Sequence, residues 1–151
     1  MCNPQKCCNL NNRPKAVLNN KELYRQFCAT EKTVPLFLKD WWLDAVCNDW
    51  EVAIARNGDN ISGVWPYRIE RKINVSILRD QVLTPYMGPF VFYPPDLKHS
   101  KRDSFQHDTI TTLLEELPEV KVWHLSAMPG LKQAGLFNAY DFDVQVRQTF
   151  I

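Results

Sequence analysis

The chain of 151 residues has no apolar run near the ~20 residues that a membrane-spanning helix requires. Its opening residues are polar and carry none of the charged-then-apolar pattern of a secretory leader, so a cytoplasmic protein is expected. It also lacks an excess of one charge: 18 Lys and Arg against 17 Asp and Glu leave +1. That balance gives no electrostatic reason to expect nucleic acid or an anionic membrane surface as partner. There is no C-x-x-C pair, no Gly-x-Ser-x-Gly elbow, no internal repeat and no low-complexity tract. The three histidines, His99, His107 and His124, have no metal-ligand spacing, and no metal is expected. The five cysteines are an odd number without an export signal, which makes free thiols the default. Cys2, Cys7 and Cys8 lie in an Asn- and Pro-rich stretch, residues 1–14, that reads as a flexible tail, and Cys28 and Cys47 read as small core residues.

What is present reads as one α+β domain, a sandwich of helices on a mixed, mostly antiparallel sheet, over residues 15–151. Lys15–Leu18 is expected as a first short strand. Asn20 is placed as the cap of a helix through about Ala29, with Leu23 and Phe27 facing inward. After Pro35 comes a segment with adjacent tryptophans. Phe37, Trp41 and Ala45 form one apolar row and Leu38, Trp42 and Val46 a second, with Asp40, Asp44 and Asn48 between them. A helix so patterned is a core element.

Trp50, Val52 and Ile54 then alternate with Glu51, Ala53 and Ala55, which is strand periodicity. Asn57-Gly58 predicts a tight hairpin turn into a second strand, Ile61 to Glu70, in which Pro66 must fall at a bulge or an unpaired position. A reversal near Lys72–Asn74 leads to a third strand, Val75–Leu78. Thr84–Pro89 interrupts regular structure. Ile110, Leu113, Leu114 and Leu117 mark the apolar stripe of a helix, with Asp103, Glu115 and Glu116 on its exposed side. A buried strand is expected at Val120–Ala127, a short helix at Leu131–Phe137 and a last strand at Phe142–Ile151.

The wording of three stretches, Pro35–Cys47, Leu83–Phe92 and Arg147–Ile151, resembles the amino-terminal half of FemAB-like (BioF2-like) members of the GNAT acyltransferase superfamily. Gly135-Leu136-Phe137 is similar to a Gly-Phe signature of that superfamily, and the element order agrees with its fold. The resemblance implies N-acyl transfer to a small-molecule amine and a second GNAT-like domain beyond Ile151 that holds acyl-CoA. No cofactor is expected in this chain. In the position of the family's pyrophosphate loop stands Phe92–His99, with two prolines, no glycine and therefore too few N–H groups for a phosphate cradle. The lobe is accordingly expected to be inactive alone.

The resemblance leaves the catalytic residues unassigned. Arg68 and Arg79 are candidates to meet an anionic substrate group. Tyr86, Met87 and Gly88 fall where the family would place a substrate-facing edge, against the simpler reading of a connecting loop. His124, sharing a strand face with Val120 and Val122, reads as a hydrogen-bonded core histidine, and Trp65 and Trp123 as core aromatics. Two rival readings stand beside the lobe. One is a non-enzymatic interaction module that pairs with a partner or itself through Phe142, Val144 and Val146. The other is an active single-domain acetyltransferase with measurable acetyl-CoA affinity.

Overall fold

Asn19, not Asn20, caps the first helix: its side chain accepts the Glu22 N–H at 2.8 Å, and α1 runs Asn20–Thr30. The computed structural model describes residues 19–129, 131 and 134–145; the expected tail over residues 1–14, the strand Lys15–Leu18 and the residues after Gln145 lie outside that range. Tyr24 and Cys28 are the fully buried positions of α1, one row over from Leu23 and Phe27, which are partly buried against the same cluster. The double-tryptophan segment is broken rather than continuous. A single 3-10 turn, Leu36–Leu38, ends at Lys39, whose backbone is extended, and α2 restarts over Asp40–Val46. The break resets the helical phase. Leu43 and Cys47 therefore face the core, while Trp41 is 56% exposed and Ala45 is also outside, so the expected row Phe37–Trp41–Ala45 does not form.

Among the described residues the sheet is mixed, with five strands, and helices lie on both faces. β1 (Trp50–Asn57), β2 (Asn60–Lys72) and β3 (Val75–Arg79) form an antiparallel meander. β5 (Val122–His124) then joins β3 in parallel after the crossover helix α3 (Arg102–Glu116). β5 is shorter than the expected Val120–Ala127 because a strand lasts only as long as its neighbour, and β3 offers only Ile77–Arg79 to it. A two-residue strand absent from the sequence reading, β4 (Phe90–Val91), pairs with Gly63 and Val64 of β2. α4 covers Ala134–Ala139, displaced toward the carboxyl end from the expected Leu131–Phe137; Phe142–Gln145 are not strand.

Alternation along β1 and β2 accounts for the layers. Trp50, Val52, Ile54 and Val64 pack under α1 and α2 with Tyr24, Leu38, Leu43 and Met87. Ala53, Ala55, Trp65 and Leu78 face the other way, against Leu113 and Leu117 of α3, with Trp123 and Phe137 alongside. Small residues on that side of β1 let α3 come close, and Gly63 sets the closest approach. A Cβ there would stand 2.5 Å from Thr109 Cγ2. The β1–β2 turn is Gly58-Asp59, with only Gly58 at positive φ (+62°). The bulge falls at Ser62, the extra residue between Ile61 opposite Arg56 and Gly63 opposite Ala55.

Pro66 is opposite Val52 in the ladder and not at the bulge. The Phe92 N–H reaches the Ser62 carbonyl at 2.8 Å, on the side of β2 away from β1. Pro66 shares that backbone phase, so its missing N–H points the same way. There β4 has ended at Val64 and β3 begins only at Ile69. The proline thus sits at a fork, where no partner requires its proton.

Candidate functional site

The carboxyl ends of the parallel pair β3 and β5 lie together, and the chain beyond β3 folds across them. In open sheets this is the place where crevices form, since the strands stop and the loops diverge. Asp80 follows β3 directly. Its N–H reaches the His124 carbonyl at 3.3 Å and its Oδ2 accepts the Ser126 N–H at 2.6 Å. Oδ1 is sealed from water and has no hydrogen-bond partner among the described residues. Burial pushes the Asp80 carboxyl above its ordinary value; the Ser126 hydrogen bond, the nearby His124 and the Met87 N–H pull it down without cancelling that effect.

Gln81 is 7% exposed. Its Oε1 accepts from Arg68 Nη1 at 3.4 Å, while its Nε2 is buried without a partner. A turn follows, closed by Thr84 N–H to the Gln81 carbonyl at 3.1 Å. Thr84 Oγ1 accepts from Trp42 Nε1 at 3.2 Å, and Tyr86 meets Phe37 edge-on at 5.3 Å, which fastens the segment to α2 and to the 3-10 turn before it. Met87 N–H then donates to the Ser126 carbonyl at 3.3 Å.

The structure separates the sequence candidates. Arg68 is partly buried at Gln81 and also borders an open groove of about 510 Å³ where β1 begins beside β2, lined by Asp49, Glu51, Tyr67 and Glu70. Arg79 is exposed and paired with Glu70 at 3.0 Å, as is Lys72 at 3.2 Å, so its charge is already answered on the hairpin surface. Tyr86, Met87 and Gly88 all belong to the segment over the strand ends. Met87 is wholly buried, and Gly88 packs where a Cβ would stand 2.9 Å from Ala127 Cα. In this arrangement Met87 and Gly88 are packing residues, accessible only if the segment moves.

His124 is exposed, contrary to the core position expected of it; Trp123, its neighbour, turns into the core instead. The parallel register pairs Arg79 with His124 and Ile77 with Val122 on one face. The core on that face ends at Val64 and Met87, so these four residues lie beyond the cover of α1 and α2. His99 and His107 are exposed on and before α3. Cys28 and Cys47 are free and buried, and burial raises both thiols, which leaves neither poised as a nucleophile at neutral pH.

Asp80, Gln81, Thr84 and Ser126 were not singled out from the sequence. The signal that would have found them is positional: polar residues just past two strand ends in a strand–helix–strand crossover. Among the described residues no group of three or more His, Cys, Asp or Glu is placed to hold a metal ion, and no helix is long and apolar enough to cross a membrane. No protein-family model, curated protein or solved structure matches the chain.

Proposed function

We propose that this domain is a lobe of the FemAB-like, GNAT-type N-acyltransferase kind, which shapes the cleft for an amine substrate and does not itself hold acyl-CoA. The observation that carries the reading is the crossover. An antiparallel meander passes through α3 into a strand parallel to β3, with α1 and α2 on the opposite face, which is the order the resemblance implies. Two features support the silent-lobe form. The loop ahead of α3 turns through Pro94 and Pro95, with Leu97 N–H returned to the Pro94 carbonyl at 3.0 Å, so its main chain offers few donors to a diphosphate. In addition, the polar groups just past the strand ends are engaged or closed off, Asp80 with Ser126 and Gln81 with Arg68, so none of them stands ready to activate a substrate.

The test is a pair of titrations on the protein. Acetyl-CoA should produce no calorimetric heat at millimolar concentration. A small-molecule amine should shift the amide resonances of Asp80–Gly88 and Ser126 ahead of all others. Micromolar acetyl-CoA binding would overturn the silent-lobe reading and favour an active acetyltransferase. Amine-induced shifts confined to other regions would remove the cleft.

A second reading, an interaction module, is favoured by one observation. Ile77, Arg79, Val122 and His124 form a sheet face that no helix among the described residues covers. Sedimentation that shows a dimer dispersed by Val122→Glu would support it.

A further inference from the structure

β2 is longer than the strand beside it. β1 pairs with it only as far as Trp50 opposite Arg68, while β2 runs on from Ile69 to Lys72 with β3 on its other side. Lys72 and Val75 close the two-residue hairpin turn, so Lys72 and Glu70 direct their main-chain groups toward β3. The N–H and C=O of Ile69 and Arg71 therefore point to the β1 side, where no strand among the described residues meets them. Ile69 and Arg71 both line the groove of about 510 Å³, so this bare edge borders open space. The groove's ends differ in charge. Asp49 and Glu51 stand where β1 begins, and neither forms an ion pair among the described residues. Pro118 lies on the rim two residues past α3, a 15-residue helix with no basic side chain in its last turn, so the negative end of its dipole is nearby. Tyr67, opposite Glu51, makes no hydrogen bond among the described residues; burial, and then Glu51, raises its pKa, so the phenol keeps its proton. Further along β2, Arg71 is exposed and likewise has no carboxylate partner among the described residues.

We propose that this groove binds a short peptide with a free amino terminus, which joins the bare edge of β2 as a parallel strand in the lane that β1 leaves open. The ammonium lies at Asp49 and Glu51. The peptide then runs in the direction of β2 toward Arg71, which receives its carboxylate. A peptide residue level with Glu70 gives its N–H to the Ile69 carbonyl and accepts the Arg71 N–H, the two bonds a parallel neighbour makes. The opposite polarity would set the carboxylate against Asp49 and Glu51 and the ammonium against Arg71, so the charges select one direction. Ile69 to Arg71 spans about 7 Å of edge, which a tripeptide covers with its middle residue making both main-chain bonds. The polar cluster past the ends of β3 and β5 takes no part, and the proposal does not rest on the acyltransferase reading.

Tri-alanine titrated into the protein, followed by amide resonances and hydrogen exchange, tests it. In the free protein the Arg71 amide should exchange rapidly. At saturation it should be protected, and Asp49–Glu51 and Ile69–Lys72 should shift ahead of all other residues. N-acetylated tri-alanine, which lacks the ammonium, should bind about fivefold more weakly. In the double variant Asp49→Asn, Glu51→Gln that difference between the two peptides should vanish, which ties the ammonium to these carboxylates. Ala-Pro-Ala, with no N–H to give to Ile69, should also lose about fivefold against tri-alanine. The proposal is overturned if tri-alanine moves none of these resonances at millimolar concentration, or if the acetylated peptide binds the natural protein as well as the free one. An Arg71 amide already protected without peptide overturns it too, since the lane is then filled by another part of the chain or by a second copy.

Discussion

Replacing Tyr24 with phenylalanine isolates a single buried hydrogen bond. The ring is 0% exposed, packed edge-on against Trp50 at 6.1 Å, and its hydroxyl donates to the Leu38 carbonyl at 2.5 Å. That carbonyl stands at the break between the 3-10 turn and α2, where the extended Lys39 takes the chain out of helical phase. No backbone N–H replaces the hydroxyl there among the described hydrogen bonds. Tyr24→Phe keeps the ring and its packing, and strands the carbonyl. The expected loss is then the cost of an unsatisfied buried acceptor, about 1–3 kcal/mol, rather than a cavity. In a urea titration the midpoint should fall with an unchanged slope, since the surface exposed on unfolding is the same. For a domain of this length the melting temperature should drop by roughly 2–4 °C per kcal/mol. A loss under about 0.5 kcal/mol would refute the reasoning, because it would mean that another donor or water reaches the Leu38 carbonyl.

Gly63→Ala should destabilise by about 1–3 kcal/mol, because its Cβ would press on Thr109 Cγ2 and force α3 off the sheet; Gly63→Ala combined with Thr109→Ser should recover part of that loss in the same unfolding assay. Ile73, wholly exposed in the β2–β3 turn at φ +54°, should be improved by Ile73→Gly, which relieves about 1–2 kcal/mol of left-handed strain and raises the melting temperature. Asp80→Asn should change how stability depends on pH. A carboxyl whose folded-state pKa lies above its unfolded value favours the folded state fully below the unfolded pKa, and loses that contribution as pH rises through the folded one. The stability of the natural chain minus that of the variant should therefore fall as pH rises through and above the usual carboxylate range, with His124, Ser126 and Met87 the groups that face the carboxyl. A difference that rises with pH, or stays flat, in denaturant melts across that range would contradict it.

Much of the fold was legible because periodicity and turn chemistry act locally. Trp50–Ala55, Gly58 and the Ile110–Leu117 stripe each declare themselves within a dozen residues. The double-tryptophan segment was misread because its two apolar rows assume one unbroken helix. Lys39 interrupts it with an extended backbone, and its Nζ reaches back to the Glu31 carbonyl at 2.9 Å, a contact outside the helical periodicity. β4 has two residues and exists only because β2 passes beside it. The strand-end cluster was hidden for a related reason. Asp80 and Ser126 are 46 residues apart, and only the parallel pairing of β3 with β5 brings them together. Arg68 was found from its charge and place on the hairpin, whereas its partner Gln81 has neither charge nor periodicity to recommend it.

Pro66 has an effect that outlasts any single contact. Where β4 and β3 part company, an incoming polypeptide trying to zip along β2 would meet an imide ring with no proton to give. Because Pro66 is itself fully buried, the fork is closed over by packing, and what the ring secures is the parting of β4 from β3: neither strand can be extended across it by main-chain bonding to this residue.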